Sequence, residues 1–321
     1  MFEFINYLKL IATALITNSH FGNIWPVSAL ATGGLLGNVI FFAVSGFLLY
    51  NIKTSFIKWF PKRFFRVYPA LVIFTLFTVL IGEYTLNNLN DAFKLFIYPT
   101  NYIFLVWLIV CYCIFYFVVH MDKKVNNFLE ITMLVIFLVW ILVYALVYDK
   151  SIYSVDNVSE PFILFLYTES MLMGALFRKG RINILVGLRL PIKIILTIGC
   201  MIVYFVSKII FSRIETLLPL QIANQFVILM ALFSVFDLFM SLEQVFKKMP
   251  EKLNLVVKHI SNITLQIYIV QFVIIRYCDK LSFPLNLIVV ILAIIVVATL
   301  LYYIENRIRK LIDFLCAKSR K

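Results

Sequence analysis

The chain has 321 residues, of which 63% are hydrophobic and only 14% charged, and its mean hydropathy is +0.98. That composition excludes an ordinary soluble domain, in which about a quarter of residues are charged, and predicts an all-α polytopic membrane protein. A formal net charge of +13 fits loop cations near anionic headgroups; nucleic-acid binding is excluded because the basic residues lie in separate short loops rather than on one folded face.

Long apolar stretches without period-two alternation argue against a barrel and predict about ten transmembrane helices. They are centred in 4–20, 34–50, 68–82, 102–120, 131–148, 161–177, 192–210, 219–240, 260–275 and 284–304. The opening residues lack a basic leader or a small-residue cleavage site, so the first span is expected to stay in the protein. Of 29 basic residues, the loops after odd-numbered spans are expected to hold only Lys94, Lys150, Lys208, Arg213, Arg276 and Lys280, and Lys9 lies within the first span. The remainder cluster after even-numbered spans and in the carboxyl tail, as in Lys58, Lys62, Arg63 and Arg66, then Arg178, Lys179 and Arg181, then Arg320 and Lys321. By the positive-inside rule both termini are cytoplasmic, and residues 1–321 read as a single integral membrane domain with no appended soluble domain.

The first span, YLKLIATALITNSHF, carries Lys9 and His20. Eleven helical steps return to within about 20° of the start, so the two share a face and stand roughly 16 Å apart along it. They read either as snorkelling end groups or as the two ends of a site for a long anionic substrate. Asn18 and Ser19 flank His20 without sharing its face. The second span holds the small residues Gly33 and Gly37 at the spacing of close helix approach, and Ser45 at membrane depth. Arg63 and Arg66, in PKRFFRVYPA, lie one turn apart and suit either topology anchoring or a phosphate-rich ligand. Glu169 is deep enough in its span to need a partner, either Lys9, the His20 imidazolium or a structural ion pair. Asp237 lies nearer the cytoplasmic end, within reach of a loop base. His120 and His259 sit at span ends. Cys111, Cys113, Cys200, Cys278 and Cys316 are odd in number and mostly apolar in context, so neither a disulfide framework nor a metal site is expected.

These elements resemble the membrane-bound acyltransferase-3 family, multispan bacterial enzymes that O-acylate sugars and cell-surface polymers. Its basic residue and histidine in the first span correspond here to Lys9 and His20, its FF-x-x-SGF-like segment to Phe41, Phe42, Ser45, Gly46 and Phe47, and its R-x-x-R-x-x-P-like stretch to Arg63, Arg66 and Pro69. The closing YYIENRIRKL, with Glu305, is similar to the family's end. Three positions depart from the pattern: Lys9 replaces the usual arginine, Tyr112 falls about where the fourth span often has a glutamate, and Gln271 stands where the ninth often has a histidine.

Acyl transfer to a hydroxyl needs a base, a place for an anionic donor and stabilisation of a developing oxyanion. His20, the one intramembrane histidine, is expected as general base or as a transient acyl carrier. Lys9, Arg63 and Arg66 are expected to hold coenzyme A, with Ser45, Glu169 and Asn18 as substrate-facing or supporting residues and no metal. The resemblance implies an O-acyltransferase of the bacterial inner membrane. It would carry acetyl from cytoplasmic acetyl-CoA to an envelope sugar, a polysaccharide precursor or a lipid-linked glycan, in contact with membrane lipids. The alternative is a transporter or permease for a lipid-linked or anionic sugar.

Overall fold

The computed structural model describes residues 2–180, 187–278 and 280–318, with side chains to Leu311. Arg181, Arg320 and Lys321 lie outside the described residues, as do the side chains of Cys316 and Lys318. Thirteen α-helices carry the described chain: α1 Glu3–Ser19, α2 Gly34–Leu49, α3 Phe56–Leu80, the short α4 Leu89–Ala92, α5 Ile103–Asp122, α6 Phe128–Leu146, α7 Ile163–Lys179, α8 Leu190–Arg213, α9 Ile222–Ser241, the short α10 Glu243–Lys247, α11 Glu251–Asn262, α12 Thr264–Cys278 and α13 Leu285–Lys318. No strand occurs among the described residues.

Each of the ten expected spans contains a helix, yet length and composition qualify seven as membrane-crossing, or eight if α11 and α12, bent by 70° at their junction, form one broken span. The difference lies in the interior of the bundle. Helices α1 and α7 have 17 residues each, about 25 Å of rise, at the short end of what a span needs. Both carry buried polar residues, Asn6 and Thr13 in α1 and Thr168, Glu169 and Ser170 in α7, which protein rather than lipid surrounds. By contrast α6, α8 and α13 expose Leu134, Leu138, Ile195, Ile198, Leu292 and Val296, an apolar outer face suited to hydrocarbon.

At the centre α2 packs on both α1 and α7. Where helices lack a hydrophobic drive to associate, small residues let backbones approach. A Cβ at Gly46 would collide with the Met171 carbonyl oxygen, and one at Gly174 with the Ala43 carbonyl oxygen, so α2 and α7 touch backbone to backbone. Gly37 lies equally close to α1, where a Cβ would come within 2.6 Å of the Ala12 carbonyl oxygen, in line with the expected close approach. Gly33 instead caps α2 at φ +104°, a left-handed conformation that glycine adopts without a steric penalty.

Ion pairs tie the helix ends. Lys179 Nζ bridges Asp122 at 2.9 Å and Glu130 at 3.0 Å, joining the ends of α5, α6 and α7. Burial works to lower the Lys179 ammonium's pKa, but these carboxylates outweigh it and hold the group above its ordinary value. Lys193 pairs with Asp237 at 2.8 Å, a base at the start of α8 meeting the acid as expected. Lys208 departs from expectation. It is no loop cation but a buried residue of α8, paired with Asp156 and donating to Thr32 Oγ1 at 2.9 Å. A lysine near the end of an apolar stretch looks like an anchor in sequence when its counter-ion stands far off along the chain.

Candidate active site

Lys9 lies near the middle of α1 and His20 just past its last residue, and each lines its own cavity. The first, of about 420 Å³, is built where the amino-terminal half of α1, the carboxyl-terminal half of α2, the early turns of α3 and the late turns of α13 converge. Its cations are Lys9, Arg63, Arg66 and Arg309. Arg309 pairs with Glu305, whose other oxygen accepts from Gln266 Nε2 at 2.7 Å, and it also donates to the carbonyl oxygen of Phe65 at 3.1 Å. The other three cations have no acidic partner among the described residues. Arg63 lies over the Trp59 ring at 5.7 Å, with its buried Nε unpartnered. Ser45 and Tyr112 line the same cavity. The cluster therefore holds like charges together without compensation, an arrangement that a multiply charged anion relieves.

The second cavity, of about 360 Å³, lies at the other end of the bundle. It is formed by the end of α1, the start of α2, the first turns of α5 and α7, the loop before α7 and the far part of α12. His20 follows the last residue of α1 and is exposed to it. Its ring meets Phe272 edge-on at 4.6 Å, and Phe272 packs in turn on Tyr102 and Tyr268. The polar wall is satisfied in part, with the buried Asn38 Oδ1 and Trp107 Nε1 left without a partner among the described residues. Asp156 accepts from Thr32 Oγ1 and the Gly33 backbone N–H, both at 2.8 Å, besides pairing with Lys208. Asn38 donates to the Tyr167 hydroxyl at 3.1 Å.

Between the cavities lies a neck of about 10 Å³. Phe41, Thr264 and Leu265 line both the neck and the basic cavity, while Ile16, Phe104 and Tyr268 line both the neck and the His20 cavity. The three spaces therefore adjoin one another along α1, with the cations on one side and the imidazole on the other.

The model of the acyltransferase-3 family, an acyltransferase domain, matches residues 2–304. The chain belongs to that family. It is a multi-pass membrane acyltransferase. No curated protein and no solved structure matches it. Within this acyltransferase, Lys9, Ser45, Arg63 and Arg66 meet in one cavity, and His20 stands apart in the other.

Two expected site residues do not enter the series. Asn18 donates to the carbonyl oxygens of Leu30 at 2.8 Å and Thr32 at 3.0 Å and accepts from Trp25 Nε1 at 2.9 Å, so its side chain is spent holding the loop after His20. Glu169 lines neither cavity and pairs with neither Lys9 nor His20. It sits on α7, which packs on α2, and α2 rather than α7 packs on α1. Its buried Oε1 has no hydrogen-bond partner among the described residues.

Other site residues were not singled out from sequence. Arg309 lies beyond the family match, four residues after Glu305 in the closing segment, and only folding brings it to α3. Asp156 comes from a polar loop and Asn38 from an apolar helix, and neither carries a spacing signal. Tyr112 and Gln271 were visible only as departures from the family pattern.

Proposed function

We propose that this acyltransferase moves an acyl group, acetyl in the first instance, from acyl-CoA in the basic cavity to a hydroxyl of an envelope sugar or polysaccharide precursor in the His20 cavity. The observation that carries this reading is the cluster of Lys9, Arg63 and Arg66, without acidic partners among the described residues, adjoining across one neck an imidazole that has no side-chain hydrogen bond among those residues. The phosphates of coenzyme A supply the charge that the cluster lacks, and the pantetheine arm is long and thin enough to point its thioester into the neck. The basic cavity lies on the side of the positively charged loops, which faces the cytoplasm and its coenzyme A in a bacterial inner membrane, with both termini on that side.

His20 acts as general base. As the acceptor hydroxyl oxygen bonds to the thioester carbonyl carbon, its proton passes to the imidazole, the carbon–sulfur bond breaks and coenzyme A leaves as thiolate. Thiolate protonation from the imidazolium, directly or through water, resets the base. A sugar permease fits less well, because the neck is too narrow for a sugar ring and the family's chemistry is acyl transfer.

Mass spectrometry of envelope glycans from cells with and without the protein tests this. An acyl mass increment on one glycan, present only with the protein and dependent on acetyl-CoA in membranes, is the expected result. Identical glycan profiles contradict the reading.

A further inference from the structure

The neck holds a polar side chain that nothing among the described residues satisfies. Gln271 on α12 lines it with 0% exposure, and both its Nε2 and its Oε1 lack a hydrogen-bond partner among the described residues. A primary amide buried in this way is costly, and natural proteins keep such groups where a bound molecule completes them. Thr17 lines the same neck with its buried Oγ1 also unpartnered, and it precedes His20 by three residues, one turn along the same face of α1. Gln271 is also the chain neighbour of Phe272, the residue on which the His20 ring rests. Two unsatisfied polar groups therefore converge at the passage between the cations and the imidazole.

We infer that Gln271 binds the carbonyl oxygen of the acyl group in the neck and stabilises the negative charge that develops on it during transfer. This rests on the acyl-CoA reading above and assigns it one further residue. The neck has room for about one water-sized group, so a thioester reaching through it brings its carbonyl against the lining side chains. Nε2–H donates to the carbonyl oxygen while the acceptor oxygen adds to the carbon, and the bond tightens as charge accumulates before the carbon–sulfur bond breaks. A buried amide already in place acts strongly here, because it needs no reorganisation when the charge appears. The Thr17 hydroxyl, on the opposite helix, is available to orient the amide or the carbonyl.

Substitution by a similarly sized group without a donor separates this role from a packing role. Gln271→Leu removes an unsatisfied amide from an apolar passage, so the thermal unfolding midpoint in detergent should hold or rise. Coenzyme A affinity should be unchanged, and kcat for acetyl transfer should fall on the order of 10²-fold. Gln271→Met carries the same test should the branched side chain fold poorly. Wild-type kcat in either folded variant overturns the inference while the acyl-CoA reading stands. If instead the wild-type protein transfers no acyl group from acetyl-CoA, the reading itself falls and the inference with it. A parallel loss of coenzyme A affinity and stability also overturns it, by making Gln271 structural.

Discussion

The two cavities of this acyltransferase are built on opposite principles. In the basic cavity Lys9, Arg63 and Arg66 crowd together without acidic partners, and only Arg309 is neutralised, by Glu305. In the His20 cavity the acid Asp156 is engaged by Lys208, Thr32 and Gly33, and Asn38 donates to Tyr167, while the Asn38 Oδ1 and the Trp107 Nε1 have no partner among the described residues. Polar groups satisfied by one another fix a shape, whereas groups left unsatisfied await a ligand. The first cavity is thus organised for binding charge. The second is a rigid frame around one imidazole that is free to exchange a proton.

The sharpest way to break this contrast is at His20. His20→Ala and His20→Asn should fold and still bind coenzyme A, while acetyl transfer falls on the order of 10²- to 10⁴-fold, because neither side chain can accept the hydroxyl proton. The wild-type rate should also drop as the pH falls through the imidazole titration, since a protonated ring is no base. Wild-type turnover by either purified variant returns His20 to a packing role.

A smaller effect is expected where the contrast concerns frame rather than chemistry. Asp156→Asn leaves the Lys208 ammonium, with 4% of its side chain exposed, without its counter-ion. Breaking a buried pair in this way costs about 3–5 kcal/mol. A clearly lowered thermal unfolding midpoint in detergent, with coenzyme A affinity retained, is the expected outcome. An unchanged midpoint shows that the outer frame does not depend on this pair.

The smallest change concerns Lys9. Its point charge makes a weaker anion contact than a planar guanidinium, so Lys9→Ala should reduce coenzyme A affinity less than loss of either arginine, by equilibrium titration. A larger loss than at Arg63 or Arg66 makes Lys9 the principal phosphate contact.

The basic cavity was largely legible in the sequence and the other was not. Lys9 in α1 and His20 at its end are joined by a single stretch of chain, so their eleven-residue spacing sufficed to separate them along the bundle. Arg63 and Arg66 stand together in a short motif. The other walls of the His20 cavity come from α2, α5, α7, α12 and a loop, joined by contacts such as Thr32 to Asp156 that span 124 positions and leave no local pattern. The same distance hid the burial of Lys208. Glu169 and Asn18 stand out in sequence because polar residues at membrane depth are costly, yet Glu169 lines neither cavity and Asn18 ties down a loop. Span counting gives ten where length and composition qualify seven or eight, because hydropathy does not separate lipid-facing helices from α1 and α7, which are short and carry buried polar residues.

The division of labour between the cavities is tested most directly by equilibrium titration of coenzyme A against purified wild-type protein, Arg63→Gln/Arg66→Gln and His20→Ala under identical detergent conditions. Each arginine contributes charge-assisted phosphate contacts and neither fills the core, so the double variant should fold normally and bind coenzyme A about 10- to 100-fold more weakly. His20→Ala should bind as wild type does. Equal affinity in the double variant, or lost affinity in His20→Ala, contradicts the assignment of binding to one cavity and chemistry to the other.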